Sequence, residues 1–161
     1  MKKIFFVLIT LVVLALSSFC EASEESNAKY INDNYVKPSI TLSKDDFLPK
    51  MDEVLKNYST DNQDRAAGDL AYYYRHRFLE IKEKLIADKK AKDTNLKRLA
   101  EALIQCEIDL VDVFLILRNK DGYTQDSYMA KMKEAVSNLK ETTSKYKTEY
   151  ETITKEQFKL Q

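Results

Sequence analysis

The chain contains no tryptophan, a single histidine, and only two residues each of glycine, proline and cysteine. Each shortage closes a class of reading. Sheets joined by tight hairpins and loops that wrap phosphates both use glycine freely, and Gly68 and Gly122 are too few for either. A zinc centre takes several His or Cys side chains, whereas this chain offers His76, Cys20 and Cys106. The Glu-x-x-His pattern of di-iron proteins finds Tyr73 where the glutamate belongs. The Cys-x-x-Cys-His of attached haem is absent. Haem held without a covalent link would need His76 with Met51, Met129 or Met132. His76, however, lies between Arg75 and Arg77 and off the apolar stripes of its helix, so it reads as a solvated surface residue. A Ser–His–Asp hydrolase would have to use the same imidazole without a Gly-x-Ser-x-Gly turn to present the serine. No cofactor, metal or catalytic group is expected, and the chain does not read as an enzyme.

An excess of charge of one sign is also lacking: 26 Lys and Arg stand against 26 Asp and Glu. Nucleic-acid binders normally show a basic surplus, so no nucleic-acid partner is expected. The lysines around the second turn, Lys82 to Arg98, are interleaved with Glu80, Glu83, Asp88 and Asp93, giving a mixed local field.

The N-terminus is organised in three parts. Lys2 and Lys3 precede an apolar run, Ile4 to Leu16, broken only by Thr10 and followed by the more polar Ser17 to Ala22. This is the grammar of a secretory signal, and the run is short of the roughly 20 residues of a membrane span. Residues 1–22 are expected to be a signal peptide cleaved after Ala22. The rival readings are lipidation of Cys20 and retention as an anchor. Phe19 and Ser17 depart from the small residue and the leucine that a lipidation signal places there. Membrane contact is expected only by those two routes, and the expected location is exported: periplasmic, cell-surface or secreted.

Scarce Gly and Pro beside abundant Lys, Glu, Leu and Ala point to helix. The expected fold is all-α, an antiparallel bundle of three long helices and one shorter one. Residues 23–42 have no clear period and are expected to form a partly extended N-terminal arm, with 43–161 as the helical domain. The shorter helix should start after Ser43, which forms a capping box with Asp46, or nearer Pro49. The first long helix, to about Lys90, carries a main stripe of Ala67, Leu70, Tyr74, Phe78, Ile81 and Leu85. A second stripe, Tyr72, Leu79 and Ile86, predicts a second neighbour. The next helix, capped by Asp93 or Thr94, holds Leu96, Leu99, Leu103, Cys106, Leu110, Val113 and Leu117 in heptad spacing and is the most buried. Cys106 on that seam reads as a packed thiol. Glu101, Gln105, Asp109 and Asp112 lie opposite the leucines and read as its solvent face. Gly122 is expected to end the turn after it in a left-handed conformation. The last helix, from about Thr124, has a Thr- and Lys-rich second half whose weaker seam should fray toward Gln161.

The most informative surplus is tyrosine, at ten residues. Tyr72, Tyr73 and Tyr74 take three successive angles of one helix, so they cannot all face the core, and Tyr73 is left over Arg77. Tyrosine and arginine are enriched at recognition surfaces. Tyr72, Tyr73, Arg75, His76 and Leu79 are therefore the candidate partner-binding residues. The leading reading is an exported small helical-bundle protein that acts by binding a protein partner through this surface, as an adaptor, inhibitor, adhesin or chaperone-like factor. The alternative is a carrier of an apolar ligand or haem within the core, with Met129 and Met132 lining the cavity. Asn57-Tyr58-Ser59 fits an N-glycosylation acceptor.

Overall fold

The computed structural model describes residues 26–56, 61–92 and 94–154, and within them the chain is all-α. Helix α1 covers 26–56, α2 Asp61–Ala87, α3 Thr94–Leu115 and α4 Gln125–Thr154, with a 3₁₀ stretch, Ile116–Gly122, leading from α3 toward α4. Helix α3 is the central element and packs along both α2 and α4, while α1 packs on α2 and α3. Among the described residues no helix is long and apolar enough to cross a membrane. The candidate cleavage site at Ala22, the candidate lipidation site at Cys20, the Asn57–Ser59 triplet and the chain beyond Thr154 lie outside the described residues.

The stretch expected as a partly extended arm is instead helical from Ser26 onward. One line of its buried residues, Ala28, Asn32, Val36, Ser39, Ser43, Phe47 and Met51, recurs in steps of four with one step of three, and Ile31, Tyr35 and Leu42 are buried beside it. Each step of four overshoots an α-helical turn by about 40°. Two π-helical turns, Asn32–Val36 and Leu42–Phe47, take an extra residue apiece and keep the stripe aimed at the core. Pro38 and Pro49 each follow such a turn by two residues. A proline clashes with the carbonyl four residues earlier, and in both cases that carbonyl belongs to the widened turn. The helix therefore runs through both prolines. Ser43, expected as a cap, is buried in mid-helix.

Helix α3 meets its expectation as the most buried element: Leu99, Leu103, Ile104, Cys106, Ile108, Leu110, Val111, Val113 and Phe114 are all buried. From α1, Phe47 meets Tyr74 of α2 at 5.2 Å between ring centroids and Phe114 of α3 at 5.9 Å, edge to face. Such pairs add about 0.5–1.5 kcal/mol beyond their buried area. Four of the ten tyrosines, Tyr35, Tyr74, Tyr146 and Tyr150, are absorbed here as core residues.

Thr124 caps α4, its Oγ1 accepting from the Ser127 N–H at 3.3 Å. The buried residues of this helix are Leu139, Tyr146 and Tyr150, so its second half is the better anchored, contrary to expectation. The threonines explain the difference. Thr143, Thr148, Thr152 and Thr154 donate their hydroxyls to the carbonyl four residues earlier at 2.7–3.0 Å, and the half-buried Thr143 and Thr154 then turn methyl groups to the seam. Gly122 does not take the left-handed conformation. The chain tightens into the 3₁₀ stretch, kinks at Asn119 and leaves extended at Tyr123.

Candidate functional site

Helices α2 and α3 run in opposite directions, as the order of their polar pairs shows. Lys97 Nζ of α3 donates to the Ile86 carbonyl at 2.9 Å. Lys82 Nζ donates to Gln105 Oε1 at 2.5 Å, and Arg75 Nε donates to Asp112 Oδ1 at 2.6 Å. In the 3₁₀ stretch, Arg118 Nε reaches Asp69 at 2.8 Å and Lys120 pairs with Asp64. Gly68 makes this close approach sterically feasible, because a Cβ on it would lie 2.2 Å from the Arg118 backbone nitrogen. The face of α3 expected in solvent is thus a polar seam under α2. Asp109 is buried, and Glu101, Gln105 and Asp112 are half-buried; Arg75 reaches across to Asp112 and Lys82 to Gln105, which in turn donates to Asp109. Burial raises the Asp112 carboxyl above its usual range, and the Arg75 guanidinium opposes that.

The five candidate partner-binding residues divide on this seam. Tyr72 and Tyr73 are 43% and 52% exposed, and His76 is exposed. Arg75 and Leu79 are half-buried, the first committed to Asp112 and the second packed on the core. Tyr73 lies about 100° around the helix from Tyr72, so the five do not share one face. Each exposed ring has a cation: the Arg118 guanidinium sits 4.1 Å from the Tyr72 centroid, and Arg77 lies 5.8 Å from that of Tyr73. Arg77 Nη1 also donates to the Tyr73 hydroxyl at 2.8 Å, and the His76 ring meets Tyr72 edge-on at 4.6 Å. The second stripe does not find a second neighbour, since Ile86, like Tyr72, is exposed, at 54%. Sequence reasoning missed Arg118, which arrives from a 3₁₀ stretch whose spacing carries no helical period.

His76 points away from the side of α2 that carries Tyr74 and meets α1, where Met51 is buried. Met129 is 54% exposed and Met132 half-buried. Among the described residues no group of three or more His, Cys, Asp or Glu is placed to hold a metal ion. Cys106 is a buried free thiol, pushed up to about 12 by burial while a hydrogen bond with Thr142 opposes the shift.

A second feature lies between α1 and α3. Glu107 is 0% exposed, in the middle of the apolar face of α3 with Leu103, Val111 and Phe114 around it on the helix. Neither carboxyl oxygen has a hydrogen-bond partner, nor do the buried Ser39 and Ser43 hydroxyls or the Asn32 side-chain oxygen of α1. Burial pushes the Glu107 carboxyl up to about 8, opposed only by Ser39. The signal in the sequence was a carboxylate in register with Leu103, Val111 and Phe114 on the apolar face of α3.

Comparison of the chain with protein-family models, with curated proteins and with solved structures gives no match.

Proposed function

We propose that this protein is an exported antiparallel helical bundle that acts by binding a protein partner through the outer face of α2. The observation that supports the reading is the pair Tyr72 and Tyr73, two large rings left exposed yet each held by an arginine. A ring fixed in advance loses little rotamer freedom on docking, and a partner surface gains about 0.5–1.5 kcal/mol for each side chain that need not be immobilised. The recognition surface of this reading is Tyr72, His76 and Arg118 together with Tyr73 and Arg77. Arg75 and Leu79 serve as its support. The carrier alternative has no comparable observation in its favour, because Met129, one of its two lining methionines, is exposed.

The test is quantitative capture from the native compartment, comparing wild type with the Tyr72→Ala/Tyr73→Ala variant. A protein retained by the first and lost by the second, with equal melting temperatures, supports the reading. Identical capture profiles for the two baits would refute it.

A further inference from the structure

We propose that Glu107 makes the seating of α1 on α3 proton-dependent: α1 docks over the neutral carboxyl, and its ionisation releases the 26–47 part of that helix. The argument starts from placement. The carboxyl is fully enclosed where α1 covers α3, beside Ser39 and among Leu103, Val111 and Phe114. Neither oxygen has a hydrogen bond of normal geometry, the Ser39 hydroxyl is the one polar group that favours its charged form, and no cation contributes to its surroundings.

The ionisable groups around it offer no compensation. On its own helix these are the Cys106 thiol and Asp109, and on α4 the Tyr146 phenol. The buried ionisable side chains of α1 and α2 are engaged elsewhere: Tyr35 with Asp88, Tyr74 with Lys50, and Asp64 with Lys120. An unpaired carboxylate in such a place is far costlier than a carboxylic acid. Either it stays protonated or its cover must move.

The cover is the element best suited to move. Helix α1 has two π-helical turns and carries three buried polar side chains without partners, Asn32, Ser39 and Ser43. Its polar attachment near the start is the carboxylate of Asp88, which accepts from Tyr30 at 2.8 Å and Tyr35 at 2.6 Å, with Asn27 bonded to the backbone of Lys90 and Lys92. The apolar core that joins α2, α3 and α4 through Phe78, Leu103, Leu139 and Tyr146 also takes Ile31, Val36 and Phe47 from α1, so what sets α1 apart is its unpartnered polar groups and widened turns rather than a lack of apolar cover. Release of 26–47 uncovers the Leu103–Phe114 face of α3 while leaving the other three helices together. This inference does not depend on the Tyr72–Tyr73 surface.

Hydrogen exchange read by mass spectrometry tests it on the full chain between pH 6 and pH 9, with protection factors corrected for intrinsic rate. The expected result is a fall of at least tenfold in the protection of 26–47 as pH rises, with α2, α3 and α4 unchanged. In Glu107→Gln that fall disappears. Retained protection of 26–47 through pH 9 overturns the proposal. So does an equal fall in Glu107→Gln, or loss spread over all four helices. Should the variant not fold, a ¹³C titration of the wild-type Glu107 carboxyl decides: ionisation in step with loss of protection supports the switch, and ionisation with α1 still protected overturns it.

Discussion

Replacing Gly68 by alanine sets two general rules against each other. Alanine is the better helix former by about 1 kcal/mol in a helix interior, so at an open site on α2 the change would stabilise the protein. At position 68 the added carbon would lie 2.2 Å from the Arg118 nitrogen, 2.4 Å from its Cα and 2.5 Å from its Cβ. Two of those atoms are backbone, so no rotamer change relieves the overlap. The 3₁₀ stretch has to move away by about 1 Å, and with it the Arg118–Asp69 pair, the Arg118–Tyr72 stack and the Lys120–Asp64 pair. Overpacking of this kind costs about 1–3 kcal/mol, and the strained or lost surface pairs add up to about 1 kcal/mol. Because the two nearest atoms are backbone and cannot turn aside, the overpacking cost lies in the upper part of that range, about 2–3 kcal/mol, and after subtracting the helix-propensity gain Gly68→Ala is expected to lose about 1–3 kcal/mol. That corresponds to roughly 3–10 °C in melting temperature for a domain of this size. Circular dichroism at 222 nm during heating and urea titration measures both quantities. In a double-mutant cycle, Arg118→Ala should cost less in the Gly68→Ala background than in wild type, because the alanine has already displaced the arginine. A variant melting at or above wild type would refute the packing argument.

Glu107 sets a pH dependence of stability. Its carboxyl is raised in the folded protein from 4.5 to about 8, so its favourable contribution is complete below the ordinary carboxyl range and is lost as pH climbs toward 8. The loss is on the order of 3–5 kcal/mol. Urea unfolding between pH 5 and pH 9 should show it as a falling difference between wild type and Glu107→Gln, and parallel curves would contradict it. Cys106, buried and pushed up to about 12, should react with a thiol reagent at least about 100-fold more slowly in the native protein than in urea; immediate stoichiometric labelling of folded protein would show the thiol to be exposed. The Arg75–Asp112 pair, with side chains 35% and 32% exposed, should couple by about 1 kcal/mol in an alanine double-mutant cycle. Strict additivity of the two single losses would mean that solvent screens the pair.

The period-3.6 rule located α2, α3 and α4 because their apolar residues keep that period. Leu99, Leu103, Cys106, Leu110 and Val113 are buried as their spacing requires. The rule failed where contacts override pattern. Glu101, Gln105, Asp109 and Asp112 look like a solvent face when α3 is read alone. Their burial depends on Arg75 and Lys82 from a helix distant in sequence, and nothing local to α3 announces that. The weak-looking seam of α4 misled for a different reason. A threonine counts as polar in a pattern, yet once its hydroxyl is bonded to its own helix it packs as a small apolar residue. Of the candidate surface, Tyr73 over Arg77 was legible because both lie on one helix four residues apart. The Arg118 stack on Tyr72 was not, because it joins two elements.

Helix α1 shows why a real helix can lack a helical period. One line of its buried residues steps mostly by four, longer than the α-helical turn, and three of the seven residues on that line are polar: Asn32, Ser39 and Ser43. A pattern search therefore sees a stretch without rhythm. The mismatch in period and the polar residues have one physical meaning. A stripe with steps near four stays on the core only if the helix widens, and each widened turn both accommodates a proline and leaves neighbouring groups imperfectly bonded. Opposite that stripe the most apolar face of α3 carries the fully enclosed carboxyl of Glu107. Were the polar residues of α1 only tolerated defects, leucine at Ser39 or Ser43 would improve the core as overpacking allowed, and Glu107 would be an isolated cost. Their position on the same interface as Glu107 instead makes the α1 contact a mixed one, apolar through Ile31, Val36 and Phe47 and polar beside the carboxyl, and the one whose strength protons can set.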